Sequence, residues 1–134
     1  MFTGISYRIR PEVEAAALSD LFASAWQDDS HSGYGGQLDH SLTFVCAYAG
    51  ERLVGFVNVA WDGGAHAFVL DTSVDVGYQR HGIGKGLVLA ATNEAARAGC
   101  EWLHVDYEVE LASFYKACGF VPTTAGLMQL TTQS

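Results

Sequence analysis

The run from Val74 to Leu87, Val-Asp-Val-Gly-Tyr-Gln-Arg-His-Gly-Ile-Gly-Lys-Gly-Leu, constrains this chain more than any other stretch. Ahead of it stands an apolar segment, Phe68-Val69-Leu70, followed by the β-branched Thr72, Val74 and Val76. Behind it, Leu87-Val88-Leu89-Ala90-Ala91 opens a helical pattern that continues to about Ala98. A strand therefore ends here, the chain turns through polar residues and glycines, and a helix begins among the glycines. A helix start leaves four N–H groups unpaired and carries the positive end of the dipole. Glycine lets a ligand come close to that backbone, and Arg80 and Lys85 add full positive charge. Such a turn suits an anion, above all a phosphate or pyrophosphate.

Two familiar phosphate motifs do not fit. Gly77 and Gly82 have P-loop spacing, but Ile83 follows where Lys and then Ser or Thr is required. Gly82-Ile83-Gly84 supplies two glycines of a dinucleotide fingerprint, but Leu87 stands in the third place, and no βαβ unit opens the chain. What remains is Gln79-x-x-Gly82-x-Gly84 behind a strand. That pattern resembles the acetyl-CoA loop of the GNAT N-acetyltransferases, whose signature is Gln or Arg, two residues, Gly, one residue, then Gly or Ala. A second segment adds to the resemblance. Leu111-Ala112-Ser113-Phe114-Tyr115-Lys116-Ala117-Cys118-Gly119-Phe120 is similar to that family's final helix and strand, with its Ala-x-Phe-Tyr-x-x-x-Gly-Phe run. The two motifs are separated by room for one helix and one strand, the family's order, and the resemblance covers roughly residues 42 to 130.

At 134 residues the chain reads as one domain, 1–134, with enough apolar content for its own core. Its net charge of −8 disfavours nucleic acid or an anionic membrane as partner and gives a mild preference for a cationic acceptor. Four of the seven bases, Arg80, Lys85, Arg97 and Lys116, lie at or after the glycine turn, consistent with a polyanionic cofactor. Cys46, Cys100 and Cys118 are odd in number and lack metal spacing; read as reduced thiols, they point to the cytoplasm. The five histidines show no paired spacing, so no metal site is expected. No apolar h-region opens the chain and no stretch approaches 18 apolar residues, which disfavours secretion or a membrane span.

In chain order, 5–10 alternates as a first strand, and Pro11-Glu12 is expected to open a helix running to Trp26. The glycine-bearing stretch 28–40 reads as a loop with room for a short helix near Leu38; His31 and Tyr34 there, and Trp26 before it, are candidates to touch an acceptor. Residues 42–49, 53–61 and 66–76 read as three strands joined by short turns and hence antiparallel. A helix over 82–98 ends at Gly99. A strand over 101–106, parallel to the one before it, comes next. The helix 111–118 and short strands at 120–121 and 127–130 complete an α/β fold, a mixed, mostly antiparallel sheet flanked by helices.

The GNAT resemblance implies more. Its parallel strand pair diverges to form the cofactor cleft. Backbone N–H groups along Gln79, Arg80, His81, Gly82, Ile83, Gly84 and Lys85 hold the pyrophosphate of acetyl-CoA. The strand end at Val74, Asp75 and Val76 pairs with the pantetheine amides and polarises the thioester. Tyr115 matches the tyrosine that protonates the departing thiolate, and with a phenol pKa near ~10 it is protonated at neutral pH. The base stays open among Asp71 and Asp75, placed on one face by alternation, Glu108, His66, His104 and Asp106. Glu108 stands about where many relatives carry Asn. The implied activity is acetyl transfer to a primary amine of a small molecule, peptide or protein, by direct attack in a ternary complex; the alternative is a non-catalytic acyl-CoA-binding regulatory module. A homodimer is common in that family, though no feature of this sequence demands one.

Overall fold

The computed structural model describes residues 4–26 and 35–131. Five strands form one sheet: β1 (Ile5–Ile9), β2 (Ser41–Ala49), β3 (Arg52–Trp61), β4 (His66–Val74) and β5 (Trp102–His104). They lie side by side in chain order. The turns after β2 and β3 are short, so β1 to β4 pair antiparallel. A helix separates β4 from β5 and lets that pair run parallel.

Helices cover both faces. The apolar stripe of α1 (Ala15–Trp26) places Leu18, Leu21 and Phe22 on Phe44, Cys46, Tyr48 and Phe56. Phe22 meets Phe56 edge to face, with ring centroids 5.6 Å apart. The short α2 (Gly35–Leu38) leads into β2. On the opposite face α3 (Ile83–Arg97) sets Ile83, Leu87, Ala91 and Ala95 against Val45, Ala47, Val54, Val57, Val59, Ala67 and Val69. Last comes α4 (Ala112–Ala117). Covered on both sides, β2 and β3 are each buried over six consecutive residues, which explains their unbroken apolar runs. Each large aliphatic or aromatic side chain buried there contributes roughly 1.5–3 kcal/mol.

Several boundaries differ from expectation. The first helix begins at Ala15 rather than at Pro11: Arg10 takes a positive φ of 51° and the chain stays irregular through residue 14. β4 stops at Val74, because Asp75 caps a 3-10 turn over Val76–Tyr78. β5 is only three residues long. The strands expected at 120–121 and 127–130 are absent: the segment after α4 joins no ladder, and Val121, Leu127, Met128 and Leu130 are 79–90% exposed. The short helix before β2 is present. His31 and Tyr34 lie outside the described residues.

Candidate active site

β4 carries the site. Its ladder with β5 pairs His66, Ala67 and Phe68 with Trp102, Leu103 and His104, and ends there. β4 continues six residues beyond Phe68 while the chain after His104 leaves the sheet, so the two strands part. Just past the parting, β4 carries a bulge. Asn58 pairs with Leu70, but Phe56 pairs with Ser73, so three residues on β4 span what two span on β3. Asp71, inside the bulge, has a φ of 57°, a left-handed conformation uncommon for a non-glycine residue and tolerated best by Asn and Asp. The extra residue also puts Asp71 and Asp75 out of phase, correcting the expectation that they share a face.

Hydrogen bonds fix the bulge from the α1 side. Trp26 donates its indole N–H to Ser73 Oγ at 2.9 Å, and Ser73 donates to the Asp71 carbonyl at 2.8 Å. From the other side comes Tyr115, 6% exposed, on α4. Its ring stacks on Tyr107 at 4.9 Å and meets Phe114 and Phe120 edge to face. Tyr107 follows β5 and Thr72 lies in β4, and the Tyr115 phenol reaches the Thr72 hydroxyl from beside Tyr107; the phenol thus sits where the strands part. Burial is the main cause that raises its pKa above the usual 10.0; Cys118 and Asp106 push the same way and the Thr72 hydroxyl opposes them, although no hydrogen bond of ordinary geometry joins Thr72 Oγ1 to a partner. The phenol is therefore a proton donor, not a base, across the neutral range.

The glycine turn lies downstream on the same strand. Asp75 Oδ1 accepts from the Gly77 amide at 2.9 Å and Oδ2 accepts from Arg52 at 3.0 Å. Its own amide donates to the Val54 carbonyl at 2.8 Å. With both oxygens committed and 8% exposure, Asp75 is not placed to act as a base. The Val76 amide donates to Ser24 Oγ at 3.1 Å, and the Gln79 side chain donates to the Val74 carbonyl at 2.9 Å. Arg80 and Gly82 both have left-handed φ, 67° and 83°, and swing the chain into α3. The first backbone bond there is Gly86 to Gly82 at 3.0 Å, which leaves the amides of Ile83, Gly84 and Lys85 without intrahelical acceptors. At Gly84 a Cβ would stand 3.3 Å from Phe114 and 3.7 Å from Val74. Glycine there lets the start of α3, the end of β4 and α4 close on one another.

Glu108 is exposed, at the start of a 3-10 turn over Val109–Leu111, and Asp106 is exposed after β5. His66 Nδ1 and His104 Nε2 lie 2.7 Å apart, and His104 stacks on Phe68 at 4.7 Å. Both are on the paired, near end of the two strands. Among the described residues no three His, Cys, Asp or Glu side chains are grouped to hold a metal. Two open hollows, about 280 and 610 Å³, lie along the outer flank of α3 and β1 and contain none of these residues. Ser24, Thr72, Ser73 and Tyr107 were not singled out from sequence. For Thr72 and Ser73 the signal was the polar Asp71-Thr72-Ser73 run interrupting an apolar strand, a mark of a bulge; Ser24 and Tyr107 carried none.

A buried phenol beside a parted parallel pair, next to a cationic helix start with bare amides, suits a phosphorylated ligand lying in the gap. The acetyltransferase (GNAT) family matches residues 8–120, and the chain belongs to that family of acetyl-CoA-dependent enzymes. No curated protein sequence matches. Among solved structures, a GNAT-family acetyltransferase from Streptococcus pneumoniae superimposes with a TM-score of 0.80 at 23% identity, over 97% of this chain and 100% of that one. The aminoglycoside N-acetyltransferase AAC(6')-Iy, held with a bisubstrate analogue of coenzyme A, gives 0.77 at 19% identity over 98% and 100%. Glucosamine-6-phosphate N-acetyltransferase from Arabidopsis thaliana gives 0.71 at 16% over 95% and 99%. At these identities the likeness is one of fold. The residues present fit coenzyme A: bare amides and two cations at the start of α3, no side chain at Gly82 or Gly84, and a length of β4 beyond Phe68 whose β5-side edge is unpaired.

Proposed function

We propose that the chain, as one domain, transfers acetyl from acetyl-CoA directly to a primary amine, with no acyl-enzyme. The single observation that carries this is Tyr115: a buried phenol, its pKa raised by that burial, beside the bulge where β4 and β5 part. Acetyl-CoA supplies an activated thioester. The amides of 83–85, with Arg80 and Lys85, hold its pyrophosphate, and the chain from Gln79 to Gly82 shapes that grip. The amides of Asp75 and Val76 are already taken, so main-chain contact with the pantetheine falls to the stretch from Leu70 to Val74, on the edge that β5 leaves bare. An N–H there polarises the carbonyl. Tyr115 protonates the departing sulfur.

The attacking amine must first lose a proton, directly or through water. Asp71, half-buried within the bulge, is the better-placed base; Glu108, exposed just beyond Tyr107, is the second. Asp75 holds the turn instead. The acceptor side is bounded by Trp26 and β4. A net charge of −8 favours a cationic amine, and AAC(6')-Iy among the structural neighbours acts on aminoglycosides. Three free thiols fit a cytoplasmic setting, and no described helix is long and apolar enough to cross a membrane.

The deciding experiment is a screen of polyamines, aminoglycosides, amino sugars, amino acids and peptides with acetyl-CoA, reading thioester loss and acetylated product together. Saturable, stoichiometric turnover with one amine class is the expected result. Acetyl-CoA binding without amine-dependent turnover across the panel overturns the enzyme reading in favour of a regulatory module.

A further inference from the structure

We infer that the acceptor is a monoamine bearing an aromatic ring, laid along the open part of the α1-side sheet face with Phe68 as its platform. The inference deepens the proposed transfer and rests on it. Alternation and the two cores fix which residues show on that face. Ala67 and Val69 pack under α3, so Phe68 and Leu70 point the other way. β3 turns Phe56 toward α1, and with it Asn58 and Ala60; Asn58 stands opposite Leu70, and Ala60 opposite Phe68. Leu103 joins the α3 core, so Trp102 and His104 face as Phe68 does. α1 covers this face over Phe44, Cys46, Tyr48 and Phe56, and meets β4 at Ser73 through Trp26. On the near side of the bulge the face is open: Phe68, Leu70 and Trp102 are 38, 37 and 58% exposed, and none joins either apolar core. An apolar surface that starts beside Asp71 and runs back along β4 is the place for the body of the acceptor.

Its lining selects that acceptor. None of Asn58, Ala60, Phe68, Leu70, Trp102 and His104 is a carboxylate. Asp62, in the turn before β4, already accepts at Oδ1 from the amides of Gly64 and His66. A polyamine or aminoglycoside lying here would press further ammonium or hydroxyl groups against Leu70 and Ala60, with no acceptor to replace water. The net charge of −8 draws in a cation of any kind. This face then favours one that is charged only at the reacting nitrogen. Phe68 supplies the flat contact. His104 stacks on it with centroids 4.7 Å apart and planes 19° apart, and is itself tied to His66, with ring nitrogens 2.7 Å apart. The platform is thus held in place for another ring to pack against. Asn58 supplies one polar contact. It is 3% exposed, its Oδ1 accepts from Ser41 Oγ, and its amide nitrogen donates to no described residue. That leaves one donor on the face for one accepting group of the acceptor. With the reacting amine at Asp71, Leu70 and Phe68 carry its body roughly 7–10 Å back along β4, the reach of a ring on a short alkyl chain.

Steady-state rates of the full chain with acetyl-CoA test it, using phenylethylamine, tryptamine, a linear alkyl monoamine, a linear diamine of matched length and an aminoglycoside. kcat/KM for both aryl amines is expected to exceed that for the diamine and the aminoglycoside by about ten-fold or more. Phe68→Ala is expected to raise KM for the aryl amines about ten-fold, with kcat held within about three-fold, and to raise KM for the alkyl monoamine far less. Asn58→Asp keeps the bond from Ser41 and sets a carboxylate on the face, and is expected to narrow the gap between aryl amine and diamine. Phe68 is exposed enough for its replacement to leave the fold intact, so Phe68→Ala decides the matter if Asn58→Asp does not fold. Equal or better turnover of the diamine or the aminoglycoside overturns the inference and leaves the transferase reading standing. So does a Phe68→Ala variant that weakens aryl and alkyl amines alike. Absence of turnover with every amine of the wider screen overturns both.

Discussion

Replacing Tyr115 by Phe removes one oxygen from the site and leaves its packing. The stacking on Tyr107 and the edge contacts with Phe114 and Phe120 involve the ring, which Phe keeps. The hydroxyl's neighbour, Thr72 Oγ1, has no hydrogen bond of ordinary geometry to lose. The stability change should stay within about 1 kcal/mol. Positioned acid catalysis is worth about 10²- to 10⁴-fold. Burial has pushed this phenol above its ordinary 10.0, while a departing thiol sits near ~8.5. The proton transfer is thus uphill by at least ~1.5 pH units, about 2 kcal/mol. That places the expected loss in kcat near the lower end, about 10²-fold, with KM for acetyl-CoA unchanged within about two-fold. The pH profile gives an independent check. A raised phenol stays protonated beyond pH 10, so the parent enzyme should show no alkaline fall in kcat from this group below that pH. The assay is steady-state turnover of the best amine at saturating acetyl-CoA, with calorimetric binding of coenzyme A alongside. A variant that keeps kcat within about three-fold, or loses coenzyme binding in proportion to turnover, refutes the acid assignment.

Arg80→Gly separates strain from binding. Relief of a left-handed L-residue is worth roughly 1–2 kcal/mol, less about 0.5–1 for glycine's greater freedom when unfolded, so the melting temperature should rise slightly. Loss of a charge-assisted contact of about 1.5 kcal/mol should weaken coenzyme A about ten-fold by calorimetry; an unchanged Kd places the anion elsewhere. Asp75→Ala removes the cap to Gly77, about 1 kcal/mol, and a half-exposed pair with Arg52 worth at most about 1; urea unfolding should show a loss of about 1–2 kcal/mol, with KM for acetyl-CoA rising more than kcat falls. An Asp75→Ala variant whose kcat collapses while KM holds would return Asp75 to the chemistry. Burial pushes the Cys46 thiol from 9.0 up to about 12. The folded state therefore holds the proton more tightly, and the resulting stability is intact below pH 9 and is lost as pH rises through 12. The full step is about 4 kcal/mol at 1.36 kcal/mol per pH unit. Tyr7, Tyr48 and Tyr115, raised from 10.0, act the same way only above pH 10. Urea unfolding between pH 9 and 10 should thus lose stability faster in the parent than in Cys46→Ala; parallel slopes count against the assignment.

The sequence was informative where one residue's local chemistry decides the structure. Gly82 and Gly84 marked the start of α3, and the apolar periods of 42–49, 53–61 and 82–98 marked the sheet and its covering helix. It was silent where structure depends on counting across strands. Placing Asp71 and Asp75 on one face assumed an unbroken two-residue period, which a single inserted residue defeats. The Asp75-Val76-Gly77 turn had its own mark, an Asp two residues ahead of a glycine amide, of the kind that caps turns. The segment 127–130 has the side chains of a strand and is not one here, because strand character states a fit to a pleated surface and cannot supply the surface.

The bulge is what joins these observations. In the ladder, Ser73 stands opposite Phe56 on the α1 face, and Val74 opposite Gly55 on the α3 face. Ser73 there meets Trp26, and Val74 joins the core beside Gly84. Take out the inserted residue and both exchange faces: a hydroxyl enters the apolar core under α3, and a valine is pulled from it toward α1. Both changes oppose folding, so the two cores hold the bulge in register from opposite sides. Asp71's left-handed backbone is sustained by that competition, helped by the tolerance of Asp for this conformation. The same residue count turns Thr72 toward Tyr115, so the geometry of the acid is set by packing on both faces of the sheet rather than by α4 alone.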